Sequence, residues 1–119
     1  MEKLTGKCSY CGDELHIERL RCRGCNIAIE GEIPLPRLAR LAPEDRDFIE
    51  LFVRLSGSLK EMSRQLGISY PTMRNRLDRI IEILTMEISR DREYRKEIFE
   101  KLEQGKIKAE EAIKLLKEL

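Results

Sequence analysis

The four cysteines of this chain form two close pairs near its start, Cys8 with Cys11 and Cys22 with Cys25. Each pair has the spacing Cys-x-x-Cys, and ten residues separate the pairs, enough for two short strands and a turn. Two such pairs can place four sulfur atoms at the corners of a tetrahedron, which is the geometry that a structural Zn²⁺ ion prefers. The spacing therefore predicts one zinc site with these four thiolates as its ligands.

Two other uses of these cysteines stay open beside zinc: iron in the same cage of four thiolates, and disulfide or redox chemistry. Disulfides form in oxidising compartments, but the residues from Met1 to Leu4 lack the apolar stretch of a secretion signal. No apolar run in the sequence approaches the length of a membrane span. We therefore favour Zn²⁺ as the cofactor and expect a cytoplasmic protein that does not contact a membrane.

The predicted metal site is structural and not catalytic. Four thiolates leave no open coordination position for water, whereas a catalytic zinc site keeps one. His16, the single histidine, lies between the cysteine pairs and is interpreted as an ordinary strand residue. The sequence also lacks a Gly-rich phosphate-binding loop. Together these features argue against an enzyme.

Apolar residues around the second cysteine pair alternate as they do in half-buried strands. Leu15 and Ile17 precede this pair, and Ile27, Ile29 and Ile33 follow it. A segment of this size cannot bury a useful core, so a bound metal is expected to supply much of its folding free energy.

The basic charge of the chain is concentrated in one segment. The net charge is only +1, although 38% of the residues are charged. Residues 58–86 hold five basic and three acidic side chains, whereas residues 1–31 and 87–119 are each balanced. A local basic excess of this kind indicates that residues 58–86, and not the rest of the chain, contact nucleic acid.

The same segment carries the sequence signals of a helix-turn-helix. Proline in a first helical turn, serine caps and terminal glycines mark the helix limits. In chain order these are Pro43, Gly57, a capping box from Ser58 to Glu61, Gly67, and Ser69 followed by Pro71. Apolar residues at helical spacing predict a core of Phe48, Phe52, Met62, Leu66, Met73 and Leu77. In a helix-turn-helix the last helix is the one that enters the DNA major groove.

The polar face of that recognition helix supplies the candidate DNA contacts. Thr72, Asn75 and Arg79 are predicted to point outward, with Arg74 and Arg76 on the flanks. Asparagine can pair with adenine and arginine with guanine, although a polar outer face also suits a plain solvated helix. The full candidate set is Ser58, Lys60, Ser69, Tyr70, Thr72, Arg74, Asn75, Arg76 and Arg79.

The segment from Ser58 to Leu77 resembles the helix-turn-helix of Fis-like factors and response regulators through its stretch GISYPTMRNRL. Over residues 8–85 the chain resembles a prokaryotic family classed as a domain of unknown function. In that family a zinc ribbon precedes the segment seen here as LPRLARL at residues 35–41, and a helix-turn-helix follows. The Fis-like resemblance implies that Ser69, Tyr70, Thr72, Arg74 and Asn75 face DNA.

The segment from Tyr94 to Leu119 resembles the two-helix modules called SHOCT-like domains, with Gly105 between the helices. A hairpin this small has little core, so its apolar face is expected to pack on another domain or subunit. Asp91 and Arg92 interrupt the apolar stripe of the recognition helix, which predicts a turn toward a partner. These features favour a homodimer built from the end of that helix and the hairpin.

The linker before the helices has leucines at every third position, as along one edge of a short helical turn. Leu35, Leu38 and Leu41 form this edge, and Arg37 and Arg40 lie between them. The two arginines could form a basic arm over DNA, but we favour a position facing solvent.

The predicted fold is mainly α with a small β zinc ribbon. Its parts are a zinc ribbon (1–33), a linker (34–42), a three-helix helix-turn-helix domain (43–89) and a C-terminal two-helix hairpin (90–119). The predicted function is that of a sequence-specific transcriptional regulator that binds double-stranded DNA. The alternative is a protein-interaction adaptor that docks on the transcription machinery through the ribbon and the hairpin.

Overall fold

The computed structural model describes residues 3–117, so the outermost residues of the predicted ribbon and hairpin lie outside it. Within those residues the chain forms a two-stranded sheet, a single-turn 3₁₀ helix and four α-helices. The strands are β1 (His16–Arg21) and β2 (Ala28–Pro34), and the 3₁₀ helix is Arg37–Arg40. The helices are α1 (Pro43–Arg54), α2 (Leu59–Leu66), α3 (Tyr70–Glu103) and α4 (Ala109–Lys117). The prediction of a mainly α chain with a small N-terminal β ribbon is confirmed.

The two strands pair in antiparallel register but bury few of their side chains. Ile17 opposite Ile33 is half-buried, whereas Leu20 and its cross-strand partner Ile29 are mostly exposed, Ile29 by 61%. The prediction of half-buried strands is therefore wrong for Ile29 and for Ile27, which is 64% exposed, because no second layer formed by residues 3–117 covers that face of the ribbon.

The helix-turn-helix core lies where α1, α2 and α3 meet. Its fully buried side chains come from the linker and all three helices: Leu41, Phe48, Leu59, Met62, Met73 and Ile80. Phe52 and Leu77, which were predicted to be in this core, pack against it. Leu66 was also predicted there but is 46% exposed, because it is the last residue of α2 beside the turn.

A single 34-residue helix, α3, replaces the two helices that the sequence predicted. The predicted turn near Asp91 and Arg92 is wrong. Between Pro71 and Gly105 the chain contains neither glycine nor proline, and most of its charged residues are glutamate, lysine or arginine, which are good helix formers. Asp91 lies on the inward stripe of α3 because the linker supplies its partner, Arg37, at 2.6 Å.

The linker is packed against the helices. Leu35 and Leu41 are buried, while Leu38 is half exposed. Besides the ion pair of Arg37 with Asp91, the Nε of Arg40 donates to the carbonyl of Leu35 at 3.0 Å. Neither arginine is the free, solvent-facing side chain that we favoured, because both have partners within the fold.

The segment before the first cysteine, residues 3–7, is fastened to the linker and α1; we call it the N-terminal arm. Gly6 is buried so closely that a Cβ there would lie 2.7 Å from the backbone of Arg40. Arg46 of α1 donates to the carbonyl of Leu4 in the arm and to that of Ala39 in the linker. The ribbon is therefore attached to the helical part by packing as well as by the chain.

The last helix folds back onto the end of α3 in the same chain. Ile98 of α3 faces α4, and Ala112 of α4 faces α3. Each of these side chains is only 2% exposed. Gly105, with φ +70°, adopts the left-handed conformation that the turn between α3 and α4 requires. Phe99 and Ile113 stay about half exposed on the outside of this hairpin.

The molecule is elongated, with extents of 56 × 40 × 30 Å and a radius of gyration of 18.7 Å. A compact chain of this length would have a radius of about 13 to 14 Å. At 1.5 Å per residue α3 is about 51 Å long and accounts for the longest dimension. No helix within residues 3–117 is long and apolar enough to cross a membrane.

Candidate metal centre and nucleic-acid interface

The first cysteine pair occupies a tight backbone loop. The N–H of Cys8 donates to the carbonyl of Asp13 at 2.8 Å, and the N–H of Gly12 donates to the carbonyl of Cys8 at 2.9 Å. The N–H of Tyr10 points at the Cys8 sulfur at 3.4 Å. Gly12 has φ +81°, which a residue with a side chain rarely adopts, so glycine suits this position.

The second pair repeats this loop with the same hydrogen bonds. The N–H of Cys22 donates to the carbonyl of Ile27 at 2.8 Å, and that of Asn26 donates to the carbonyl of Cys22 at 2.9 Å. Asn26 has φ +61° and is held by Arg21, which donates to its side-chain oxygen at 3.0 Å. Gly12 and Asn26 thus both adopt a positive φ directly after the second cysteine of their loop.

Each loop is closed at its base by the same pairing of strands. Lys7 pairs with Glu14 around the first loop, and Arg21 pairs with Ala28 around the second. In both cases the residue before the first cysteine faces the residue six positions after that cysteine. The chain therefore builds one cysteine loop twice, although the flanking sequences differ.

Within each loop the two thiols interact. Hydrogen bonds from the backbone N–H of Cys11, then that of Tyr10, lower the pKa of the Cys8 thiol, and the Cys11 side chain adds to this. The N–H groups of Cys25 and Gly24 lower the pKa of Cys22 in the same way, again with help from the paired thiol. Donors aimed at sulfur favour the thiolate form, which is the form that binds a metal.

Across residues 3–117, no three His, Cys, Asp or Glu side chains are grouped closely enough to ligate one ion. The cysteines are thus brought together as two close pairs, and the convergence of all four remains a prediction. The donor set itself, four sulfur atoms in loops that favour thiolate, suits Zn²⁺ and does not distinguish it from iron.

The helix-turn-helix is capped largely as predicted. The Ser58 hydroxyl accepts from the N–H of Glu61 at 3.1 Å, and that of Ser69 accepts from the N–H of Thr72 at 3.4 Å. Gly67 ends α2 in the left-handed conformation with φ +65°. The second half of the predicted capping box is absent from the described hydrogen bonds, because Glu61 instead pairs with Arg64. The turn also has a contact that the sequence did not indicate, from the Ser63 hydroxyl to the carbonyl of Ile68.

Several of the predicted DNA contacts come together on one exposed surface. Ser58, Lys60, Tyr70 and Arg74 line a shallow depression of about 300 Å³ at the starts of α2 and α3. Three more, Ser69, Thr72 and Asn75, are exposed in the first turns of α3. We call these seven residues the recognition surface.

Arg74, the one arginine of the recognition surface, is held only by an exposed ion pair. It forms an ion pair with Asp78 one turn further along α3, at 3.3 Å. Both side chains are about half exposed, and exposed pairs of this spacing contribute little stability. A phosphate group can therefore compete with Asp78 for the guanidinium at small cost.

The other two predicted arginines serve the fold. The guanidinium of Arg76 lies over the ring of Phe48, 5.1 Å from its centre. Arg79 donates to the carboxylate of Asp45 in α1 at 2.9 Å. The Arg79 side chain points outward as predicted, since 60% of it is exposed, but its guanidinium also balances the charge of Asp45, which is 4% exposed. No local signal marks this pair, since its members are 34 residues apart.

Three family models match successive parts of the chain. The model described as "DUF2089 zinc ribbon" matches residues 8–39, and that described as "Domain of unknown function (DUF2089)-HTH" matches residues 41–87. A third, described as "SHOCT-like domain", matches residues 93–119. No curated protein and no solved structure matches the chain.

Proposed function

Since the chain belongs to the DUF2089 family, with its zinc ribbon, helix-turn-helix and SHOCT-like parts, we propose that it is a sequence-specific transcriptional regulator. It binds double-stranded DNA through α3 and acts in the cytoplasm, by binding and not by catalysis. The observation that supports this most directly is the recognition surface at the N-terminal end of α3, beside a turn capped by Gly67 and Ser69. In helix-turn-helix proteins the N-terminal end of the recognition helix, which is α3 in this chain, contacts the base edges.

Within this proposal, Zn²⁺ is held by Cys8, Cys11, Cys22 and Cys25. Bound zinc would supply a covalent-like cross-link between the two loops, which have few buried side chains to hold them together. The ribbon is joined to the helices through the N-terminal arm, where Gly6 packs against Arg40. The zinc site thus supports the position of the arm and linker beside the DNA-binding helices.

Selection of bound sequences from a random duplex library should yield an enriched motif, and two variants should change binding in different ways. Asn75→Ala is expected to weaken binding to the selected motif by about 1 to 3 kcal/mol and to relax the preference at one base pair. Arg74→Ala, as a phosphate contact, should weaken binding to all duplexes and lower the slope of log affinity against log salt by about one unit. Fluorescence anisotropy at several salt concentrations measures both.

Lys117→Ala serves as the control, because this exposed residue lies in α4, far along the chain from the recognition surface. Wild-type affinity in both test variants would show that α3 does not contact DNA as proposed.

We also propose that the chain acts as a homodimer through the middle of α3. Leu77, Ile81, Leu84 and Ile88 follow one another at spacings of four, three and four residues, which places them on one face. Ile81 and Ile88 are 48% and 40% exposed, although both are large and apolar. Pairing of two copies would cover Ile81 and Ile88, since Leu77 and Leu84 already pack against the core of their own chain, and it would present two recognition surfaces, as dimeric helix-turn-helix proteins do.

Sedimentation at micromolar concentration is expected to give the mass of a dimer, and Ile88→Lys is expected to give that of a monomer. Ser89→Lys is the matched control, because the same charge then lies on a different face of α3. A dimer mass for Ile88→Lys would place the interface elsewhere, and a monomer mass for the unmodified chain would remove the dimer.

The alternative function, an adaptor for the transcription machinery, is favoured by the ribbon surface. Leu20, Ile27 and Ile29 are exposed on it, and Tyr10 is 98% exposed beside the first cysteine loop. The salt titration separates the two functions, because an adaptor would show no steep dependence of duplex binding on salt.

A further inference from the structure

Three arginines line a cavity of about 340 Å³ between the linker and the second half of α3. Two of them, Arg37 and Arg40, belong to the 3₁₀ helix, and the third, Arg95, belongs to α3. Among residues 3–117, Asp91 is the one acidic side chain in this lining. Three positive charges and one negative charge leave an excess of two positive charges here, although the whole chain carries only +1.

Local structure brings these side chains together. Side chains at positions i and i+3 of a 3₁₀ helix eclipse each other, so Arg37 and Arg40 lie on the same edge of their single turn. The buried leucines on either side of this turn, each 3% exposed, fix it to the helices. On α3, Arg95 follows Asp91 by four residues and therefore lies on the same face. The ion pair of Arg37 with Asp91, at 2.6 Å, joins the two elements.

Most of the N–H donors of these arginines are unused. Asp91 accepts from one terminal nitrogen of Arg37, Nη2, and the Nε of Arg40 donates to the carbonyl of Leu35. The remaining terminal nitrogens of both residues, and the guanidinium of the exposed Arg95, make no hydrogen bond to residues 3–117. The Nε of Arg37 is closed off from solvent, but these terminal nitrogens are not. A ligand in the cavity can therefore reach donors from all three arginines.

The nearest other carboxylates do not neutralise this excess. Glu93 and Glu97 line the adjacent depression on α3. At 100° per residue they lie on the opposite side of Asp91, around the helix axis, from Arg95. Glu14 of the ribbon also lines that depression and is paired with an arginine outside the cavity. The positive charge on this side of α3 thus calls for an anion from outside the chain.

We propose that the cavity binds the phosphate group of a small phosphorylated molecule. A guanidinium is suited to this group because its planar fork can donate two parallel hydrogen bonds to phosphate oxygens. A phosphate monoester also carries close to two negative charges at neutral pH, which matches the charge excess of the lining. The bound phosphate would contact Arg37 and Arg40 from the linker and Arg95 from α3, and would fasten these elements to each other.

A small molecule suits the cavity better than the backbone of DNA. Arg95 lies 20 residues beyond Asn75 on the continuous helix α3, which is about 30 Å at 1.5 Å per residue. A duplex that contacts the recognition surface would have to bend along the helix to reach the cavity, and bending DNA costs free energy. The phosphate site is therefore separate from the recognition surface and does not depend on the proposed function.

Calorimetric titration of the full chain with inorganic phosphate, at about pH 8 and constant ionic strength, tests the site. Phosphate should bind at least about tenfold more tightly than acetate, which has one charge and fewer acceptor oxygens. Arg95→Gln should weaken phosphate binding by about tenfold, because it removes a charged donor. Arg92→Gln is the matched control, since it makes the same change on the same helix outside the cavity lining, and it should leave the affinity unchanged.

NMR of the unmodified chain checks the location, so this result does not depend on how the variants fold. The side-chain N–H signals of Arg40 and Arg95 should shift on addition of phosphate, and that of Arg92 should not. Unmoved signals, equal binding of phosphate and acetate, or equal phosphate affinity in Arg95→Gln and Arg92→Gln would each overturn the proposal. Duplex affinity should be unchanged in Arg95→Gln, and its loss would overturn the small molecule in favour of a DNA phosphate.

Discussion

Replacing Cys22 with serine is expected to reduce bound zinc from one ion per chain to less than half, and to unfold the ribbon. Metal binding supplies about 10 kcal/mol or more of folding free energy in structural zinc sites, and most of this is lost with one ligand. The ribbon has little else to hold it, since Leu20 and Ile29 are largely exposed. Elemental analysis and NMR of the ribbon amides measure the two effects.

The helices are expected to survive this change. Their core includes Phe48, Met62 and Met73 and contains no residue of the ribbon, so far-ultraviolet circular dichroism should keep most of its helical signal. Ser9→Ala alters the first loop without removing a sulfur and is the control. Loss of the whole helical signal in the Cys22 variant would show that ribbon and helices fold as one unit, and a full equivalent of zinc would show that Cys22 is not a ligand.

Replacing Arg79 with alanine is expected to lower the free energy of unfolding by about 1 to 3 kcal/mol, because it leaves the buried Asp45 carboxylate without a partner whose own side chain is 60% exposed. Urea unfolding followed by circular dichroism measures this. Arg74→Ala is the matched control on the same helix. Its pair with Asp78 is about half exposed, so its removal should cost less than about 1 kcal/mol.

The second substitution Asp45→Asn distinguishes the ion pair from other effects. In a chain that already carries Arg79→Ala, it removes the unpaired charge and should restore part of the lost stability. No recovery, or an unchanged stability in Arg79→Ala alone, would mean that Arg79 is not needed to balance Asp45.

Features that depend on neighbours in the sequence could be predicted from the sequence alone. The two cysteine loops follow from the Cys-x-x-Cys spacing with Gly12 or Asn26 behind it. The turn before α3 follows from Gly67 and the Ser69 cap. In each case the residue that stabilises the turn and the backbone groups of that turn lie within a few positions of each other. The pattern can therefore be recognised in a short stretch of sequence.

Features that depend on distant partners could not be predicted. Asp91 reads as an interruption of an apolar stripe, because its partner Arg37 is 54 residues away. Arg79 is a surface arginine whose pairing with Asp45 could not be predicted either, because the two residues are 34 positions apart. Gly6 carries no turn signal, and its need for a small side chain appears only when the backbone of Arg40 lies against it. The length of α3 could not be predicted for the same reason. Helix propensity favoured one continuous helix, and only the interruption of the apolar stripe at Asp91 argued against it.

Because α3 is continuous, it fixes both the distance between the recognition surface and the hairpin and their relative rotation about the helix axis. Thr72 in the recognition surface and Ile98 in the hairpin core lie on one uninterrupted helix, about 39 Å apart at 1.5 Å per residue. Each residue between them also sets about 100° of rotation, so the direction in which the hairpin faces is determined by a residue count. One inserted residue would rotate the hairpin by about 100° around the helix axis relative to the recognition surface, whereas seven would almost restore its direction. The number of residues in α3 therefore determines the orientation of the hairpin relative to the recognition surface.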